Sequence, residues 1–177
     1  MKFSILTLAA ICLTGTSATT RPQPQQLTPR EAIIDTALLF YRSLDLKSES
    51  LMRSVTTKTL SFDGSLFADI GLGLPEPIHG QDNVVPAVLA ALQMTTMHNL
   101  QNFRVEIDGA KGNFTSYVVA YHYKKLMEPR QNPVNVYMMG NLFEGNVVKE
   151  KEEWLLDAIK LTPFLQSGNI EVMGLKQ

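Results

Sequence analysis

Two histidines, His98 and His122, lie in the stretch from Thr96 to Lys124 and are the side chains best equipped for chemistry in this sequence. A histidine moves protons near neutral pH, and apolar surroundings tune when it does so. The stretch reads as a β-hairpin in which two long, half-buried strands each set one imidazole among apolar and aromatic neighbours. That pattern predicts a small-molecule pocket. An imidazole facing it can take a proton alpha to a carbonyl and return it to a leaving hydroxyl, acting as base and then as acid. The plainer alternative for His98 is a strand end capped by one hydrogen bond. For His122, alternation puts Val118, Ala120, His122 and Lys124 on one face and Tyr117, Val119, Tyr121 and Tyr123 on the other. Both faces are apolar, so the pattern leaves open whether His122 lines the pocket or is a satisfied structural histidine.

A later strand places Tyr137, Met139, Asn141 and Phe143 on one face, an apolar wall with a single amide. Such a row is either core packing or a ligand wall. Other chemistries are poorly served. The three histidines are too scattered for a metal site, and no HExxH motif or carboxylate-rich loop accompanies them. There is no nucleophile elbow. The glycine spacing in Gly71-Leu72-Gly73-Leu74-Pro75 hints at a phosphate loop, but Pro75 and Pro77 stand where its helix would begin. No cofactor is expected.

The first segment reads as a leader and not as part of the fold. Lys2 is followed by a mostly apolar run from Phe3 to Leu13, and Thr16-Ser17-Ala18 offers small residues for cleavage. This predicts a signal peptide over residues 1–18, too short for a membrane span, and a protein that is secreted or held in the secretory pathway. Cys12, the only cysteine, leaves with it, so thiol chemistry and disulfides are excluded. Roughly 160 residues remain, enough for a core that buries about 70% of the unfolded surface. The formal charge of −1 becomes more negative when Lys2 is lost, so no basic field exists to attract nucleic acid. Asn113-Phe114-Thr115 is an N-glycosylation sequon, usable where its turn is exposed.

The elements that must position these groups follow. Residues 19–27, rich in Pro and Gln, predict a disordered lead-in. Thr28-Pro29-Arg30-Glu31 then sets a helix start, and Ile33, Ile34, Ala37, Leu38, Tyr41 and Leu44 continue at helical spacing to about Asp45. A short helix over 48–55, a strand at 60–62 and a long connection over 63–80 come next. Gln81 to Leu92 predicts a third helix, in which Pro86 is tolerable only in the first turn. Strands follow at 95–107, 114–126 and 134–143. Gly145-Asn146 predicts a turn into a fourth strand that begins at Val147, the charge run Lys149–Glu153 another turn, and 154–161 the last strand. Helices first and long antiparallel strands afterwards make an α+β chain.

Several short motifs, taken in order, resemble a known family. They are Ile78-His79-Gly80 before the third helix, Thr96-Met97-His98, Ala120-Tyr121-His122, Trp154 after a charged turn, and Phe164-Leu165-Gln166-Ser167-Gly168. Together they resemble the SnoaL-like branch of the nuclear-transport-factor-2-like superfamily, and within it relatives of scytalone dehydratase, as a secreted, fungal-type member. The likeness covers about Leu27 to Gly168 and puts the domain at 28–170. It implies an α+β cone, with a curled antiparallel or mixed sheet wrapped around the N-terminal helices and an apolar pocket at one end. Homodimers or homotrimers are common among its members.

Residue by residue, the resemblance puts His98 where the family keeps a catalytic histidine and Asp45 on the aspartate that orients it. Asn141 falls on a polar pocket position, and Tyr41 would help to hold the substrate. Leu44 replaces the tyrosine expected before the aspartate, and the second pocket tyrosine would fall near Asp63 or Gly64. The second catalytic histidine corresponds by spacing to Glu128, in a loop at the cone's mouth. The plainer reading of Asp45 is an acid that caps the turn after its helix. The expectation is a cone that binds a hydrophobic small molecule. It would act as a lyase or isomerase on a polyketide- or terpenoid-type metabolite, with a non-catalytic binding or protein-interaction module as the rival.

Overall fold

Thr28 starts the first helix as its sequence requires. Its hydroxyl accepts from the Glu31 N–H at 3.3 Å, and the Glu31 carboxylate takes the Thr28 N–H at 2.8 Å, closing a capping box around Pro29. The computed structural model describes residues 27–73, 75–124 and 135–174. In it, α1 (Pro29–Leu46) is followed by α2 (Glu49–Ser54), β1 (Thr56–Asp63), a 3-10 helix (Ser65–Ile70) and β2 (Ile78–His79). Then come α3 (Gln81–Ala91), β3 (Thr95–Asp108), β4 (Lys111–Tyr123), β5 (Val136–Glu150), β6 (Glu153–Gly168) and a closing 3-10 helix (Ile170–Met173). The proposed leader, most of the lead-in and Glu128 lie outside the described residues.

The strands form one mixed sheet in the order β2-β1-β6-β5-β4-β3, in which only the β1–β6 pair is parallel. Helix α1 packs against both β3, at one edge, and β6, in the other half of the sheet. That is possible only because the sheet curls around it. Ile33, Ala37, Phe40, Tyr41 and Leu44 form the buried stripe of α1 and meet Phe114, Val118, Phe143 and Leu156 from the sheet's inner face. Each of the larger side chains contributes roughly 2 kcal/mol by leaving water. The α+β cone expected from the sequence is the observed architecture. No helix among the described residues is long and apolar enough to cross a membrane.

Three local expectations fail for physical reasons. Gly145-Asn146 is not a turn, because β5 runs unbroken through both residues. The ring of Phe114, opposite on β4, lies where a Gly145 side chain would be, with Leu156 beside it. Glycine is there to admit that ring, and a register shift between Asn146 and Val147 is the only local irregularity. Pro163 lies within β6 and not after it. It stands at a register shift and beyond Lys160, the last β6 residue paired with β1, so its missing N–H disturbs no second ladder. Pro86 is the sixth residue of α3, past the first turn. Both it and Asp82, whose carbonyl it denies a helical partner, are on the exposed side, where solvent has access. The charged run does turn, at Lys151-Glu152, and the β3–β4 hairpin turns at Gly109, whose φ of 59° suits glycine.

Candidate functional site

Between α1, α3 and the inner face of the sheet lies a cavity of about 220 Å³. Helix α1 supplies Phe40, Tyr41 and Leu44, α3 supplies Val88 and Ala91, and β5 supplies Met139 and Asn141. Phe67 and Met173, from the two 3-10 helices, and Leu72, just after the first of them, close over one side. The strand alternation left open by the sequence is settled: Ser116, Val118, Ala120 and His122 point inward, and Tyr117 points out. His98 and His122 both line the hollow.

His98 is held by Asp45, which the last turn of α1 brings to the start of β3. The ring Nδ1 lies 2.6 Å from Asp45 Oδ1, and the His98 backbone N–H donates to Oδ2 at 3.1 Å. The Thr96 hydroxyl donates to Oδ1 at 2.7 Å and accepts from Lys47 Nζ at 3.2 Å. Burial pushes the Asp45 carboxyl up, but the hydrogen bond and charge of His98, helped by Thr96, outweigh it and hold the group below the ordinary carboxylate value. An ionised Asp45 accepts the proton on Nδ1, so the neutral ring keeps its lone pair on Nε2. That nitrogen has no protein partner among the described residues.

His122 is fixed in the same tautomer by different means. Its Nδ1–H donates to the Tyr137 carbonyl at 3.1 Å, a bond made possible by the direct pairing of His122 with Tyr137 across β4 and β5. Burial lowers its pKa to about 4 against that bond, with the nearby His98 and Lys47 pushing in the same direction. The ring is therefore neutral at pH 7. Tyr41 packs its ring on His98 with centroids 4.7 Å apart. Its buried hydroxyl and Asn141 Oδ1 have no partner within the protein, among the described residues. Burial, and then the charge of Asp45, push the Tyr41 phenol well above its usual range, so it stays a donor.

The structure thus brings together His98, Asp45, Tyr41, His122, Met139 and Asn141. It does not bring Tyr137 into the hollow: its phenol donates to Gln166 at 2.8 Å, and only its carbonyl serves the site. The second histidine beside His98 is His122, from the same hairpin, while Glu128 lies outside the described residues. Leu44 and Gly64 both line the cavity, without a phenol. Asn113 is exposed but lies within β4 between Glu106 and Asn146, not in a turn. It is about 30 Å along the strand from His122. Among the described residues no three His, Cys, Asp or Glu side chains converge as a metal-ligand set. Thr96 and Lys47 were missed by the sequence reading. Thr96 had a signal, since residues two apart on a strand share a face.

The fold has solved counterparts. A Kribbella flavida protein, Kfla4162, superposes with a TM-score of 0.67 at 22% identity, over 82% of this chain and 97% of that one. A Novosphingobium aromaticivorans protein designated a scytalone dehydratase gives 0.61 at 14% identity, over 79% and 91%. A type 2 hexachlorocyclohexane dehydrochlorinase (LinA) gives 0.61 at 15%, over 78% and 87%. At these identities the likeness is one of fold. No curated protein matches the sequence. The profile of the SnoaL-like domain, however, matches residues 25–160, most of the chain, and on that match this protein belongs to the SnoaL-like family.

Proposed function

We propose that this protein is a cofactor-independent lyase or isomerase, of dehydratase or cyclase type, acting on a hydrophobic polyketide- or terpenoid-like metabolite in the secretory pathway or outside the cell. The observation that carries this reading is the 2.6 Å contact between Asp45 and His98 at the wall of an apolar cavity, with Nε2 of His98 unpaired among the described residues. A base so placed meets the two needs of proton transfer: a lone pair aimed at the substrate and a carboxylate that stabilises the imidazolium once formed. Tyr41 would donate to a substrate oxygen, and Asn141 would hold a hydroxyl. Neutral His122 would take or return the second proton. Fold relatives designated as dehydratases and a dehydrochlorinase, which remove small groups from carbon skeletons by name, fit this chemistry. The metabolite profile of a strain lacking the gene tests it. An accumulating precursor that the purified protein consumes is the expected result.

One observation favours a second reading, in which the cone binds its ligand without converting it. Leu44 and Gly64 stand at the cavity wall where the resemblance calls for tyrosines, so two donors are missing. In that case the deletion strain would accumulate no precursor, and the protein would be recovered with unaltered ligand.

The outer face of the sheet also supports pairing of two copies. Tyr117 and Phe164 stand exposed there, edge to face at 5.6 Å, with Leu165 and Met97 exposed as well.

A further inference from the structure

We propose that Thr96 and Lys47 form a positioning arm behind the Asp45–His98 pair, holding the carboxylate in the orientation that keeps the proton on His98 Nδ1 and the lone pair on Nε2. The inference rests on the function proposed above and adds two residues to it. Three donors converge on Asp45. Oδ1 receives the Thr96 hydroxyl at 2.7 Å and the His98 Nδ1–H at 2.6 Å, and Oδ2 receives the His98 backbone N–H at 3.1 Å. A carboxylate held on both oxygens cannot rotate without breaking a bond.

The hydroxyl of Thr96 has one proton to give. Lys47 Nζ, at 3.2 Å, occupies its oxygen as a donor, so the Thr96 proton is left pointing at Asp45. The direction of the chain, from Lys47 through Thr96 to Asp45, is thereby set. Lys47 reaches that place by an unfavourable route. It caps α1 at φ 53° and ψ 37°, a left-handed position where glycine is the usual residue. Its ammonium is also partly desolvated, which lowers its pKa against the pull of Asp45. Glycine would relieve the backbone but could not touch Thr96, and backbone strain retained at a site points to a task. The other titratable groups facing the cluster are Tyr41, from α1, and His122, from β4. Neither bonds to Thr96 or Asp45.

Long-range ¹H–¹⁵N spectra of the imidazoles read the arm without a substrate, in the wild type and in Thr96→Val, Thr96→Ser and Lys47→Met. Wild-type His98 is expected as the Nδ1–H tautomer with a slowly exchanging ring proton. Thr96→Val should mix the two tautomers and speed that exchange several-fold, and Thr96→Ser should restore both. Lys47→Met, at a half-exposed residue that keeps the test open if Thr96→Val does not fold, should show the same change more weakly. It should also raise the His122 titration midpoint. A wild-type tautomer ratio and exchange rate in folded Thr96→Val, or in Lys47→Met, would overturn the arm. A wild-type His98 protonated on Nε2 would instead overturn the Asp45–His98 pairing and the function built on it, so the two failures are distinct.

Discussion

The rings of His98 and His122 meet edge to face, 6.1 Å between centroids and 88° between planes. Each Nδ1 is tied to a protein acceptor, a carboxylate for His98 and a main-chain carbonyl for His122. The two rings therefore differ in what stabilises their charged forms. Asp45 neutralises an imidazolium at His98. Among the described residues no carboxylate bonds to His122, on which the charge of Asp45 acts only weakly, and burial resists its protonation.

That asymmetry makes the fold acid-sensitive. The His122 pKa is about 4 in the folded chain against 6.5 for the ordinary group, so between those values the unfolded chain binds the proton first. Its contribution is intact above pH 6.5 and declines as the pH falls towards 4, by up to about 3 kcal/mol. Asp45, with its value held below 3.8, loses its own contribution only under still more acidic conditions. Urea midpoints measured from pH 7 to pH 4.5 should fall in the wild type and stay nearly level in His122→Phe. Equal slopes in both would contradict the assignment.

Asp45→Asn keeps the shape of the side chain but cannot match its role. The amide can donate to Nδ1, which favours the proton on Nε2 and turns the lone pair away from the substrate. Turnover of the precursor should fall by about 10²–10⁴-fold, with its binding changed little. A comparable loss in binding would mean that Asp45 shapes the cavity and does not tune the base.

Gly145→Ala tests the packing that replaced the expected turn. A β-carbon there overlaps the Phe114 ring and crowds Leu156, both fixed in the core. Destabilisation of about 1–3 kcal/mol is expected. Chemical denaturation measures it, and the double variant Gly145→Ala/Phe114→Leu should recover part of the loss.

Charges on the outer face should prevent pairing. Tyr117→Glu combined with Phe164→Lys places ions at two exposed aromatic positions without touching the cavity. Light scattering should report a fall from dimer to monomer. A wild-type protein that is already monomeric at high concentration would refute pairing through this face.

The helical half of the cone was legible because local signals and burial agree there. Thr28 and Glu31 form the cap that their spacing announces, and Ile33, Ala37, Tyr41 and Leu44 of the expected stripe are buried, although the buried face is turned so that Phe40 joins it and Leu38 faces out. Strand β4 was legible as a strand but not in its orientation, since Val118 and Ala120 are as apolar as Val119 and Tyr121. Only the curl of the sheet decides which side is concave. Gly145 misled for a related reason: a glycine that admits a distant ring looks, in sequence, like a glycine that turns the chain. His98 stood out as a histidine on a half-buried strand, and the resemblance added Asp45, 53 residues away, as its partner. Thr96 could have been added by strand alternation. Lys47 could not, because its reach depends on a left-handed backbone that lysine seldom adopts.

Catalysis by this site depends on His98 moving a proton to or from carbon. The direct test incubates the precursor accumulated by the deletion strain with purified wild type and with His98→Asn in heavy water. The wild type should break the carbon–hydrogen bond at the reacting carbon, with solvent deuterium entering the product in an isomerisation and the hydrogen lost to solvent in a dehydration, and His98→Asn should be slower by at least about 10²-fold. Product formation by His98→Asn at the wild-type rate, or no conversion by either protein, would contradict it.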